Sequence, residues 1–318
     1  MEDQAGRHNS SLQNRSKMAV DDIERARHRM REIVERHLPQ EGSLLSAVPG
    51  LSLHRRVSSM APDSSLYEPS FAFIITGAKR VLLGNEAYLY NQDHFLLTAV
   101  GLPTIVQVLD ASAAAPYVSL KLDIDLDLAK DLIAEVDKFG HASKDGGTGI
   151  AIGPVTPDII DAAMRLLDLL DRPVDIPILE KSIQREILYR IMTGPVGGRL
   201  REAVQLGTKT NRVSAAIRWL RDHYDQPIRI EALANIAGMG ESTLHHHFRA
   251  VTAMSPLQYQ KHLRLHEARR IMIADRSDAG SAALRVGYES VTQFNREYRR
   301  LFGAPPKTDV RTIIDAVS

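Results

Sequence analysis

The chain has 318 residues, 44% of them hydrophobic, with 40 Lys+Arg against 39 Asp+Glu and no cysteine. At roughly 100–200 residues per domain, this length implies two domains, each able to bury a core of its own. The missing cysteines exclude a disulfide scaffold, a thiol nucleophile and a Cys-containing zinc site, and the net charge of +1 argues at face value against a nucleic-acid partner.

Residues 1–17 are polar and aperiodic, with no apolar core of the kind a secretory signal needs. They read as a disordered tail or as an extension from too early a start codon. From Ala19 to Leu38 the apolar positions Val20, Ile23, Ala26, Met30, Ile33, Val34 and Leu38 share one helical face, and Asp21 and Asp22 complement the dipole in its first turn. The tail and this helix form a first segment, residues 1–45. From Leu51 to about Ile124 short β-rich runs alternate with turn residues: Leu51–Arg56, Ser70–Thr76, Lys79–Leu83, Ala87–Tyr90, His94–Ala99, Thr104–Leu109 and Tyr117–Leu122. Gly84-Asn85 between VLL and EAYLY is a hairpin signal. Strands at this spacing with no intervening helix predict a small antiparallel barrel or sandwich, large enough to enclose one small-ligand cavity. The uncharged stretch Phe95–Leu109 is 15 residues long and contains Gly101 and Pro103. That is short of the ~18–20 apolar residues of a membrane helix, so a cytoplasmic protein without a membrane partner is expected.

Helical texture then returns. Asp125–Phe139 is one helix, His141–Gly149 (HASKDGGTG) a loop, and Pro157–Leu170 a second helix with Thr156 as N-cap and Pro157 at its first position. Its apolar face of Ile159, Ile160, Ala163, Met164, Leu167 and Leu170 serves either a homodimer or packing against Ile178–Met192. The sequence leaves both open. Gly194–Gly198 closes this region, and residues 46–206 are read as one domain, with room for a small ligand or a pairing face.

Division of the charge at Leu206/Gly207 overturns the neutral first impression. Residues 207–318 hold 17 Lys+Arg and 11 Asp+Glu, a net of +6, whereas residues 1–206 hold 23 and 28, a net of −5. The basic half contains a repeat: Gly240–Phe248 aligns with Ser290–Tyr298 at an offset of 50, with Leu244 matching Phe294, Phe248 matching Tyr298 and Pro256 matching Pro306. Each copy follows a short helix of small apolar residues (Ile230–Ala237, Asp278–Val286) and a turn through glycine (Gly238-Met239, Gly287-Tyr288). Helix, short turn with Gly, second helix is the helix-turn-helix layout, whose second helix enters the major groove. Two such motifs, about 230–251 and 278–302, are joined by a helix Pro256–Ala274 with Tyr259, Leu263, Ala268, Ile271 and Met272 facing inward. In the first reader Leu244 and Phe248 face the core, leaving Ser242, Thr243, His245, His246 and Arg249 off that face. In the second Phe294, Tyr298 and Leu301 are the buried stripe, leaving Val291, Thr292, Gln293, Asn295 and Arg296. Hydroxyls, amides, imidazoles and guanidinium groups suit the reading of base edges, with Arg296 for guanine and Gln293 for adenine. Arg300, Lys307 and Arg311 are placed for phosphate. Gly240 stands at an N-cap where Ser is worth a few tenths of a kcal/mol more.

At this point residues about 211–313 resemble the DNA-binding domain of the AraC/XylS transcription regulators, through LANIAGMGESTLHHHFRAVTAMSPLQYQKHLRLHEARRIM and VGYESVTQFNREYRRLFGAPP. LYEPSFAFIITGAKRV, LLTAVGLPTIVQVLDASAAAPYVSL and KSIQREILYRIMTGPVGG resemble the N-terminal half of one branch of this family, so the likeness extends over nearly the whole chain after Ser46. The resemblance implies an α+β chain: a small cupin-like antiparallel barrel or sandwich with following helices, then an all-α DNA-binding domain over 207–318. It implies base contacts from Ser242, His245 and His246 in the first reader, and from Val291, Thr292, Gln293 and Arg296 in the second. It implies an N-terminal domain that senses a small molecule or pairs protomers, with double-stranded DNA, a second copy and RNA polymerase as partners. Two positions depart from the pattern: Gly240 replaces the usual Ser, and Thr76 stands where the branch often has Gln, which bears on the effector pocket.

Other chemistries find little support. His245-His246-His247 point ~100° apart on a helix and cannot converge on one metal. His54 and His94 are isolated in the strand region, so no metal cluster of the kind a cupin-like enzyme needs is present there. KDGGTG lacks the Lys-Ser/Thr ending of a phosphate loop, and no Gly-x-Ser-x-Gly elbow occurs. Trp219, with Val213, Ile217, Leu220 and Tyr224, reads as core of the helical domain. The expected function is therefore a sequence-specific regulator without catalytic residues, metal or cofactor. A small-molecule-converting β-barrel enzyme with a helical accessory domain is the alternative, and a non-DNA adaptor a third.

Overall fold

The computed structural model describes residues 22–137, 147–205 and 207–317. The tail 1–17, the first residues of the N-terminal helix, most of the predicted HASKDGGTG loop and Leu206 at the predicted boundary lie outside the described residues.

Among the described residues ten strands follow in chain order: β1 (Gly42–Leu45), β2 (Leu51–Arg56), β3 (Asp63–Tyr67), β4 (Ser70–Thr76), β5 (Ala78–Leu83), β6 (Glu86–Asn91), β7 (His94–Thr98), β8 (Leu102–Leu109), β9 (Tyr117–Asp123) and β10 (Ile150–Pro154). They form two antiparallel sheets, one ordered β1-β2-β9-β4-β7-β10 and one ordered β3-β8-β5-β6. The sandwich half of the expectation holds, because the two sheets do not close into a barrel. Leu83 pairs with Glu86 across the predicted Gly84-Asn85 turn. β1, β3 and β10 were not predicted, and β10 joins the sheet beside β7 only after an intervening helix.

The period-two alternation of β4 shows why this sheet is covered on both faces. Phe71, Phe73 and Ile75 point into one apolar cluster, while Ile74 points into another. The first cluster is roofed by helices α1 (residues 22–37), α2 (Leu126–Val136), α3 (Pro157–Asp168), α4 (Ile176–Thr193) and α5 (Gly197–Val204). Met30, Ile33 and Val34 of α1 are fully buried there, so this helix is part of the first domain's core. Thr156 caps α3 by accepting from Ile159 N, and Pro157 opens it. Ile159, Ile160, Ala163 and Leu167 are buried against α4 and Leu170 within the same cluster, while Met164 is half-buried; of the two uses left open for this face, the chain itself fills one.

The helical half contains α6 (Lys209–Asp222), α7 (Ile230–Ile236), α8 (Glu241–Thr252), α9 (Pro256–Ala274), α10 (Ala279–Arg285), α11 (Val291–Phe302) and α12 (Pro306–Val317). A capping box of Ser255 and Gln258 with Pro256 at the first position starts α9 where the sequence predicts it. Tyr259, Leu263, Ala268, Ile271 and Met272 are all buried. Trp219 packs against the cluster of Val213, Ile217 and Leu220 as expected, but at its edge, half-buried and stacked on His223 at 4.5 Å.

The two readers differ in how they are cored. Ile217, Leu233, Phe248 and Tyr259 of the first share one apolar cluster with Val81, Leu102 and Val106 of the smaller sheet. The second has a cluster of its own, built from α9, α10 and α11 around Phe294 and Tyr298. Polar contacts stitch the same boundary. The Tyr259 hydroxyl donates to Gly101 O (3.0 Å), Gly149 N donates to Val251 O (3.0 Å), Ser64 Oγ lies 3.0 Å from His266 Nε2, and Arg221 pairs with Glu68.

Candidate nucleic-acid interface

The two helix-turn-helix units are the same construction with one inserted residue. α7 ends through Gly238 at φ +60°, and Met239 N returns to Ala234 O at 2.9 Å; α10 ends through Gly287 at φ +85°, and Tyr288 N returns to Ala283 O at 3.0 Å. The offset between copies is thus 49 before the turn and 50 after it, Glu289 being the extra residue. Ser290 caps α11 by accepting from Gln293 N (3.3 Å), whereas Gly240 leaves α8 without a side-chain cap.

Leu244 and Phe248 anchor α8, and Phe294 and Tyr298 anchor α11, all fully buried. Leu301, expected in that stripe, is half-buried. Ser242, Thr243, His245, His246 and Arg249 are exposed on α8, and Val291, Thr292, Gln293, Asn295 and Arg296 on α11. Arg300 on α11 and Lys307 and Arg311 on α12 are exposed too. Among the described residues none of Arg249, Arg296, Arg299, Arg300, Lys307 and Arg311 is in an ion pair. Cations on the inner elements are tied up instead: Lys261 by Glu297, Arg269 by Asp309 and Asp63, Arg221 by Glu68. Arg299, in the last turn of α11 and exposed, was missed by the sequence reading.

Glu297 was also missed. It is buried beneath the second reader, where it accepts from Lys261 Nζ (3.0 Å), the Tyr288 hydroxyl (2.8 Å) and Gln293 Nε2 (3.3 Å). Burial alone would raise its pKa, but these hydrogen bonds outweigh it and hold the carboxyl below its ordinary value. The side chain expected to read adenine, Gln293, is therefore oriented from below by Glu297. His246 and His247 meet edge to face at 5.1 Å, and among the described residues no group of three or more His, Asp or Glu is placed to hold a metal. No described helix is long and apolar enough to cross a membrane.

In the first domain a cavity of 270 Å3 lies between the sheets, lined by Arg56, Lys79, Tyr67, Tyr90 and Tyr117 with apolar walls at Val106 and Val108. Thr76 does not line it; its hydroxyl donates to Pro116 O (2.7 Å) at a cleft beneath α1.

Residues 47–199 match the family model described as the AraC-type transcriptional regulator N-terminus, and residues 233–312 match that of a helix-turn-helix domain. The chain belongs to the AraC/XylS family of transcription regulators. The HTH-type transcriptional activator RhaS of Escherichia coli O1:K1 / APEC is 24% identical over 158 residues, 49% of this chain and 56% of RhaS. RhaS of Salmonella paratyphi B is 26% identical over 165 residues, 51% and 58% of the two chains. The chain thus spans a little over half the length of the curated relatives it matches. ToxT from Vibrio cholerae superposes over 81% of this chain and 97% of its own with a TM-score of 0.57 at 9% identity. ToxT of strain SCE256 with an unsaturated fatty acid bound superposes over 85% and 96% with a TM-score of 0.55 at 9% identity. At such identity the likeness is one of fold: strands and helices first, a helical domain after.

Proposed function

We propose that the chain is a sequence-specific DNA-binding transcription regulator whose α8 and α11 enter successive major grooves about 34 Å apart along one face of the duplex. The observation that carries this reading is the pair of helix-turn-helix units whose anchors are buried, while their outer faces present hydroxyl, amide, imidazole and unpaired guanidinium groups. Ser242, Thr243, His245, His246 and Arg249 of the first reader, and Val291, Thr292, Gln293, Asn295 and Arg296 of the second, face the bases. Arg299, Arg300, Lys307 and Arg311 face phosphates and position without specifying. The first domain senses a small molecule, and the regulator acts as a homodimer in the cytoplasm, contacts RNA polymerase and performs no catalysis.

Arg296→Ala and Arg300→Ala separate the two kinds of contact. Arg296→Ala is expected to cost about 1–3 kcal/mol on the specific site and to relax preference at one base pair. Arg300→Ala is expected to weaken all sequences alike and to lower the salt dependence of binding by about one phosphate. Binding titrations of the full chain on a selected site and on scrambled duplex, at several salt concentrations, check both. Equal losses on every sequence for Arg296→Ala would remove its base-reading role.

A further inference from the structure

We propose that the inter-sheet cavity receives a small organic acid, its carboxylate held by Lys79 and the Tyr67 and Tyr90 hydroxyls and its apolar body against Val106 and Val108. This rests on the reading of the first domain as the sensor.

Among the groups lining this cavity the Lys79 ammonium can only donate, and the Tyr67 and Tyr90 hydroxyls are free to donate. Tyr90 is 2% exposed, and neither its hydroxyl nor that of Tyr67 has a hydrogen-bond partner among the described residues, although both line the space. Hydroxyls that open into the cavity without a protein partner are free to donate to a ligand acceptor. Burial pushes both phenols up, so they remain protonated donors at neutral pH. Tyr67, Tyr90 and Tyr117 line the same space. Lys79 Nζ lies 5.4 Å from the centre of the Tyr67 ring and, like Arg56, has no carboxylate partner among the described residues.

The carboxylates beside the cavity are already in ion pairs. Asp63 pairs with Arg269, Glu68 with Arg221, and Lys121 with Asp123 at the rim. His54 is bracketed by Ser43 (2.8 Å to Nδ1) and Ser52 (3.3 Å to Nε2). Burial first, then Lys79, Lys121 and Arg56, press its pKa down to about 3. A neutral sugar would leave the Lys79 ammonium uncompensated, whereas a carboxylate answers its charge and accepts from the tyrosine hydroxyls. At 270 Å3 the space falls just under the ~300–1,000 Å3 of drug-sized ligands, which limits the acid to a short or single-ring body.

The test uses the full chain, with benzoate and the straight-chain acids from butanoate to octanoate as probes. Their primary amides are matched neutral controls, and L-arabinose is the sugar control. Melting temperature and calorimetric titration are read for wild type, Lys79→Met and Tyr90→Phe; the second variant removes a hydroxyl that bonds to nothing in the protein, so it stays informative should Lys79→Met fold poorly. At least one acid is expected to bind saturably, its amide at least tenfold more weakly, and both variants to weaken the acid by tenfold or more. Binding of amide and acid alike, a response to arabinose alone, an acid response unchanged in both variants, or no response to any acid overturns the proposal. DNA binding measured on the same samples keeps the two readings apart. A chain that binds DNA but ignores every acid loses the anion site and keeps the regulator reading; one that takes the acid through Lys79 and Tyr90 but binds no DNA keeps the site and loses the regulator reading.

Discussion

Gly238 and Gly287 hold the same place in the two turns, yet their surroundings differ. Both have left-handed backbone, at φ +60° and +85°. A Cβ at Gly238 would meet nothing within 4 Å, whereas one at Gly287 would lie 2.0 Å from Asp225 O and 2.9 Å from Arg264. The tightness at Gly287 arises because Arg264 reaches across to Gly287 O (2.7 Å) and Tyr224 O (2.6 Å), drawing the end of α6 onto the second turn. Gly238→Ala is therefore expected to cost about 1–2 kcal/mol, the left-handed term alone. Gly287→Ala should cost on the order of 3 kcal/mol or more, since backbone must move. Denaturant midpoints of the two variants check the order; equal losses would mean that Asp225 yields freely. The sequence showed a glycine at each turn but not this asymmetry, because Asp225 and Gly287 are 62 positions apart. The reader faces were legible at this scale, since a helix of known start fixes which side chains point outward. Glu297 was not legible: a carboxylate one step from a buried stripe looks solvated until Lys261 and Tyr288 are brought beneath it.

At the scale of elements, the strands that escaped the sequence share a position. β1, β3 and β10 are all sheet edges, and GSLL, DSSLY and IAIGP carry few of the β-branched and aromatic residues by which central strands such as SFAFIIT declare themselves. β3 lies between the cavity and the helical half. Ser65 and Tyr67 face the cavity, Ser64 meets His266 of α9, and Asp63 meets Arg269 of α9 at 3.2 Å. The same strand runs beside α11, so a ligand against Tyr67 and the second reader press on one short element. Arg269 is also held by both Asp309 oxygens at 2.8 Å and lies over the Phe302 ring at 4.4 Å, so the second reader keeps its own clamp if β3 lets go. Asp63→Asn should then cost about 1 kcal/mol or less, the pair being partly exposed, and the loss should be local. Amide exchange is expected to quicken in β3 and the facing turns of α9 but not in α11. Quickening of α11 to the same degree would show that the second reader depends on the sandwich for its order.

For the whole molecule the charge division of +6 and −5 describes two halves that are nonetheless joined by a shared core. The first reader cannot separate from the smaller sheet without exposing Ile217, Phe248 and Tyr259, whereas the second is cored by itself and tied to the sandwich through polar contacts. One of those contacts titrates. Burial, then His262 and Arg269, press His266 down to about 3 while its ring bonds to Ser64 and meets the Phe302 edge at 5.2 Å. His262 beside Arg300 is pressed down to about 4, again by burial first. Both are neutral in the folded chain and take up protons near 6.5 when it unfolds. Because the unfolded state binds more protons, their contribution is fully present above about pH 6.5 and is lost as pH falls towards 3–4. Each steepens the loss by up to about 1.4 kcal/mol per pH unit in that window. The interval from pH 6.5 to 5 lies above ordinary carboxylate titration, so melting curves there isolate the histidines. Wild type should lose stability steadily across it, while His266→Gln, which keeps a polar group for Ser64 but cannot take a proton, should show a shallower slope. Identical slopes would place His266 in contact with solvent, and with it the seam between β3 and α9.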